Sequence, residues 1–144
     1  MRQILALILA TLTLSAHAVT LGATSCATAG ANITCDNVPN DSGQTLEISR
    51  ITHPQQYIGG GYPNIPAYTA VEVILGGVSY VSAPNAYSQT GPHVGVQTLS
   101  AVVTDPNTGA TLQLNAQIYV TYTICSGRGC VSRQLWALRG GSLQ

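Results

Sequence analysis

Four cysteines carry the most distinctive chemistry in this sequence, and their spacing predicts two short loops closed by disulfides. Cys26 and Cys35 lie early in the chain, whereas Cys125 and Cys130 enclose the tetrapeptide Ser-Gly-Arg-Gly near its end. Facing residues of an antiparallel strand pair lie about as far apart as a disulfide requires. We therefore predict one bond from Cys125 to Cys130 at the end of a hairpin and another from Cys26 to Cys35. Spacing leaves open the pairings that join the two halves of the chain.

Arg128 stands in the middle of the second cysteine loop, between two glycines. One hypothesis is a small secreted inhibitor that offers this arginine to a trypsin-like protease, because a pre-ordered loop lowers the entropy cost of binding. The flanking glycines loosen the loop, which favours a solvated turn residue instead. The inhibitor is therefore an alternative hypothesis.

The histidines and carboxylates form no familiar catalytic motif. The sequence has no Gly-x-Ser-x-Gly elbow, no His-Glu-x-x-His pair, no phosphate-binding P-loop and no dinucleotide fingerprint. His53 and His93 alone would make an incomplete metal site. We expect no catalytic residue, no metal and no cofactor; a hydrolase built around His53 or His93 is the third hypothesis.

The charge content is low, at 7%, and the chain contains no lysine. Ordinary domains carry roughly 25% charged residues. Without a basic stripe, the surface lacks the means to displace counterions from phosphates or to bind anionic lipids. We therefore expect neither nucleic-acid binding nor membrane insertion.

Residues 1–18 have the three parts of a secretory signal peptide. Arg2 precedes an apolar run from Ile4 to Leu14, and Ala16-His17-Ala18 provides the small residues of a cleavage site. The apolar run is shorter than the roughly 20 residues that span a bilayer. We predict export to the periplasm or the exterior, where disulfides persist.

The segment from Thr111 to Cys125 alternates apolar and polar residues with period two, which predicts a half-buried strand. Gly76-Gly77 and the stretch 105–109 predict hairpin turns. No window has a helical period. We predict an all-β antiparallel domain over residues 19–138, either a β-sandwich of immunoglobulin-like architecture, which we favour, or a small barrel. Residues 139–144 are predicted to be a mobile tail.

The predicted hairpin also fixes a register. If Cys125 faces Cys130, counting outward places Val120 opposite Leu135 on the inner face and Tyr119 opposite Trp136 on the outer face. That outer pair would form an aromatic patch for a partner or another layer.

An irregular segment between residues 52 and 70 holds Tyr57, Tyr62 and Tyr68 among prolines and glycines. Tyrosines on a stiffened loop offer contact area at small entropy cost. The alternative is that they fold back as a lid over the end of the domain. The candidate binding residues are Tyr57, Tyr62, Tyr68, Tyr119, Arg128 and Trp136.

These features together favour an exported, non-enzymatic binding or assembly module of the cell envelope or surface, such as an adhesive or structural subunit. The expected partner is a protein or a glycan at the cell surface, and a homo-oligomer is a further expectation.

Overall fold

All regular structure in the residues that the computed structural model describes, 17–123 and 133–144, is β-strand. The ten strands, in chain order, are β1 (Val19–Leu21), β2 (Thr24–Ala29), β3 (Asn32–Cys35), β4 (Leu46–His53), β5 (Tyr68–Leu75), β6 (Val78–Val81), β7 (Tyr87–Thr90), β8 (Gly95–Thr104), β9 (Thr111–Thr123) and β10 (Arg133–Leu143). Every pairing among them is antiparallel.

Eight of the strands close into a barrel, in the order β10-β2-β3-β4-β5-β6-β8-β9 and back to β10. The all-β antiparallel prediction is confirmed, and the architecture is the small barrel rather than the sandwich that we favoured. The reason is that β9 pairs along one edge with β8 and along the other with β10. No free edge is left there to separate two sheets.

Two walls of the barrel are built from strands placed end to end. β1 and β2 lie along the same edge of β10, and β6 and β7 lie along the same edge of β8. Between β6 and β7 the chain leaves the ladder, and the amides of Ser82 and Asn85 donate to the carbonyls of Val71 and Thr69 on β5. No ladder joins β7 to β5 among the described strands.

The core lies inside the barrel and follows the period-two pattern. On β9, Leu114, Ala116, Ile118 and Val120 are buried, as the alternation predicted. Burying one such large aliphatic side chain contributes about 1.5–3 kcal/mol. Similar rows on the other strands complete the core, which includes Leu46, Ile48, Val71, Val73, Leu99, Val103, Leu138 and Leu143.

The register of β9 and β10 differs by one residue from the prediction. Trp136 faces Val120, and Leu135 faces Thr121. Because side chains alternate along a strand, this single step exchanges the two faces. Trp136 is therefore buried at 4% exposure and Leu135 is 49% exposed, so the predicted outer pair of Tyr119 with Trp136 is wrong.

One predicted disulfide lies in the described part of the chain and is confirmed. Cys26 on β2 and Cys35 on β3 are bonded, with their Cα atoms 4.1 Å apart. This bond is consistent with an oxidising, exported environment. Cys125, Cys130 and Arg128 lie outside the described residues, as does the segment 1–16 of the predicted leader.

Both predicted turns are present, and the C-terminal residues belong to a strand. Gly76 and Gly77 connect β5 to β6 with positive φ angles, and the stretch 105–109 connects β8 to β9. We predicted residues 139–144 to be a mobile tail outside the domain, whereas 139–143 lie in β10 and Leu143 is buried. A Cβ at Gly141 would collide with the backbone oxygen of Asn115, so β9 and β10 require glycine there.

The register makes opposite predictions for two leucines of the same strand. Leu138→Ala removes a buried side chain and should lower the free energy of unfolding by about 3 kcal/mol. Leu135→Ala removes an exposed one and should change it by less than about 0.5 kcal/mol. Urea unfolding of both variants measures the difference, and a larger loss for Leu135→Ala would contradict this register.

The disulfide between β2 and β3 closes a short loop and should stabilise the fold by restricting the unfolded chain. Replacing Cys26 and Cys35 together by alanine should lower the free energy of unfolding by about 2.5 kcal/mol, from loop-closure entropy. The measurement is urea unfolding of the variant, with Cys125 and Cys130 unchanged, beside the unmodified protein. Equal unfolding midpoints would contradict this contribution.

Candidate functional site

The two ends of the barrel differ in character. One end, which we call the loop end, holds the longer irregular segments. It consists of the turn from β2 to β3, the segments 54–67 and 91–94, the last residues of β9 and the first residues of β10. The short turns after β5 and β8 lie at the opposite end, the turn end, together with Val19 and Gln144. The long irregular segment with the predicted binding tyrosines is thus at the loop end.

Arg50 places a guanidinium inside the loop end. It faces Ile33 on one neighbouring strand and Val71 on the other, both buried, so its side chain shares the inner face of β4 with Leu46 and Ile48. The guanidinium carbon lies 4.7 Å from the centroid of the Trp136 ring, a cation–π contact. The register of β10 therefore brings the one tryptophan of the chain under Arg50.

Arg50 begins a row of side-chain hydrogen bonds that two glutamines extend across the barrel. Its Nη1 donates to Oε1 of Gln89 on β7 at 2.6 Å. The Nε2 of Gln89 donates to Oε1 of Gln97, and the Nε2 of Gln97 donates to the carbonyl of Pro92 at 2.7 Å. A row of neutral amides thus joins the guanidinium to the segment between β7 and β8. Nη2 makes a longer contact of 3.5 Å with the carbonyl of Ala31.

No carboxylate compensates the charge of Arg50, although all five carboxylate residues of the sequence lie in the described part of the chain. Burial lowers the pKa of the Arg50 guanidinium, and the nearby Tyr87 acts in the opposite direction. The Nε of Arg50 and the Nε1 of Trp136 are buried and have no hydrogen-bond partner among the described residues. Buried polar groups are usually paired, so two unpaired donors on side chains that stack on each other mark this place as unusual.

The predicted binding tyrosines occupy different environments at the loop end. Tyr57 is 80% exposed and Tyr62 is 70% exposed, in the segment between β4 and β5. That exposure excludes the lid alternative for these two residues. Tyr68 begins β5, is half-buried, and stacks on His53 with ring centroids 4.6 Å apart.

The structure separates the remaining predicted residues. Tyr119 lies on the outer face of β9, where the Arg139 guanidinium covers its ring at 4.6 Å, whereas Trp136 is inside the barrel. His93 stacks on Tyr122 at 4.6 Å. Within residues 17–123 and 133–144, no group of three histidine, cysteine or acidic side chains is placed to hold a metal ion.

The sequence analysis missed Arg50, Gln89 and Gln97. A signal for Arg50 was present, because Leu46, Ile48 and Arg50 occupy alternate positions of one strand. A charged residue in the row that faces the core is a candidate for function. Gln89 and Gln97 carry no comparable signal, since their proximity to Arg50 depends on closure of the barrel.

A second feature lies at the turn end. A cavity of about 230 Å³ is lined by residues that include Asp36, Leu46, Glu47 and Ile74. Burial raises the pKa of Glu47 above its ordinary value of 4.5, and the charge of Asp36 and a hydrogen bond to it raise the pKa further. The repulsion between these two acidic side chains destabilises the fold locally. Among the described residues, no further group at this cavity indicates a ligand.

Comparisons of the chain with protein-family models, with curated proteins and with solved structures gave no match. In the described ranges, no helix has the length and apolar character to cross a membrane.

The raised pKa of Glu47 has a consequence for stability. A carboxyl group whose pKa is higher in the folded state destabilises the fold progressively as pH rises from the unfolded pKa through the folded one. Glu47→Gln removes the charge and should raise the Tm at pH 7. The gain in Tm should disappear near pH 3, because Glu47 is then protonated and is as neutral as the glutamine that replaces it. Thermal unfolding at the two pH values measures this, and a lower Tm at pH 7 would contradict the assignment.

Proposed function

We propose that the protein is an exported, non-enzymatic binding module of the cell envelope or surface, and that it holds a protein or glycan partner at the loop end of its barrel. The observation that carries this proposal is the exposure of Tyr57 and Tyr62, at 80% and 70%, in one irregular segment of that end. Exposed apolar and aromatic side chains that are grouped in one place are typical of interaction surfaces.

The surroundings of these tyrosines support a contact surface. Ile58 and Ile65 in the same segment are also more than two-fifths exposed. The amide and carbonyl of Gln56 bond to the carbonyl and amide of Ile65, which closes the segment into a loop. A loop held in this way presents its side chains with less entropy to lose on binding.

Export is supported by two independent features. Residues 1–18 have the composition of a signal peptide, and the Cys26–Cys35 bond suits an oxidising compartment. The low charge of the chain favours a contact surface composed mainly of aromatic and neutral polar groups.

Replacing both exposed tyrosines tests the binding surface. The double variant Tyr57→Ser/Tyr62→Ser should bind about tenfold or more weakly, because buried aromatic anchors contribute most to contact energies. Binding of the fluorescently labelled protein to intact cells and to a glycan array measures this.

The matched control changes two exposed apolar residues away from the loop segment, Val78→Ser/Val102→Ser, at 41% and 53% exposure. It should bind as the unmodified protein does. Equal binding by all three proteins, or no saturable binding of the unmodified protein to cells or glycans, would contradict the proposal.

A further inference from the structure

We propose that Arg50, stacked on Trp136 inside the loop end, is a receptor for one carboxylate group of the bound ligand. This inference deepens the proposed function, because it names the chemical group that the loop end recognises. It rests on different residues from the tyrosine surface, so the two are tested separately.

The first argument is the location of the carboxylates. All five are described, and each has another environment. Asp36 and Glu47 lie at the turn end, Asp41 accepts from the amide of Thr20, Glu72 accepts from Ser79, and Asp105 accepts from Asn107 and Thr108. The chain therefore has no carboxylate side chain left to pair with Arg50.

The second argument is the number of donors. A guanidinium carries five N–H groups in a planar fork. Gln89 and Ala31 accept from two of them, the second at a long distance. The Nε donor is buried without a described partner, as is Nε1 of Trp136. Removing a charged group from water without a counter-charge costs free energy, and a ligand that supplies the counter-charge would recover it.

The third argument concerns the kind of anion. Arg50 is the one arginine on the inner face among the side chains that the structure describes, and its neighbours are the neutral amides of Gln89 and Gln97. A single guanidinium matches the charge of a monoanion and the planar geometry of a carboxylate. A phosphate dianion would leave excess negative charge in the barrel. The partly exposed position of Arg50 at the loop end gives such a group a route from solvent.

The single tryptophan makes the test direct, because its indole N–H gives one resonance that reports on this site. The probes are two matched pairs: galacturonate with galactose, and N-acetyl-alanyl-alanine with its C-terminal amide. At least one carboxylate probe should shift the Trp136 indole resonance saturably in ¹H–¹⁵N spectra, whereas its neutral partner should not. The pair that responds distinguishes a sugar acid from a peptide terminus. No saturable shift with either carboxylate, or an equal shift with a neutral partner, would overturn the proposal.

Variants then assign the effect to Arg50. Arg50→Gln should weaken binding of the responding carboxylate by about tenfold or more, the loss expected for a charged hydrogen bond. Arg139→Gln, which removes an exposed guanidinium on the outer face, should leave the affinity unchanged. Equal affinity in Arg50→Gln and the unmodified protein would overturn the assignment. The probe pairs on the unmodified protein keep the test valid if Arg50→Gln does not fold.

Cell binding separates this inference from the proposed function. If Tyr57→Ser/Tyr62→Ser loses binding to cells and the folded Arg50→Gln variant keeps it, the loop end binds a partner and the carboxylate receptor is wrong. If carboxylate probes bind through Arg50 and the tyrosine variant still binds cells fully, the receptor stands and the tyrosine surface is wrong.

Discussion

The structure depends on the closure of its sheet through β10. This strand pairs with β9 along one edge and with β2 and β1 along the other, so its register sets which side chains of the last strand face the core. Trp136 faces both Val120 and Cys26, which places the indole inside and, across the barrel, against Arg50 on β4. A shift of one residue would expose the tryptophan and bury Leu135 in its place. The contact between Trp136 and Arg50 at the loop end therefore depends on the register of β10 with both of its neighbours, β9 and β2.

Charge is distributed unevenly over this neutral barrel. The carboxylates lie at the turn end, in turns or on the outer face, while the guanidinium of Arg50 lies inside the loop end and that of Arg139 lies on the outer face. The chain has only five acidic residues and five arginines, so the position of each one has a large effect on the distribution of charge. An interior cation costs solvation free energy, and the contacts with Trp136 and Gln89 offset only part of that cost. The loop end therefore combines an open aromatic surface with an interior positive charge that none of the five described carboxylate side chains neutralises.

The strands were largely predictable from the sequence, and the interior site was not. The alternation over residues 111–123 and the glycine pair at 76–77 are local signals, and both gave the correct local structure. The predicted register of β10 was wrong because it was counted from the cysteine loop alone. The bulge between Leu138 and Gly140 and the pairing with β2 also constrain this strand. Closure into a barrel is a long-range property, since Arg50 meets Gln89 and Trp136 from distant parts of the chain. Arg50 alone carried a local signal, as a charge in an apolar row.

The interrupted wall between β6 and β7 leaves a seam in the barrel, which no ladder among the described strands spans. The ladders on either side of it, β4 with β5 and β7 with β8, hold their strands by rows of backbone hydrogen bonds. Toward the loop end, β7 stays with β8 while β5 is bonded to the chain between β6 and β7, so side chains rather than a ladder span this seam. The hydrogen bond from Arg50 to Gln89 crosses it. Widening of this seam would have to break that bond, and it would leave the ladders of β4 with β5 and of β7 with β8 in place.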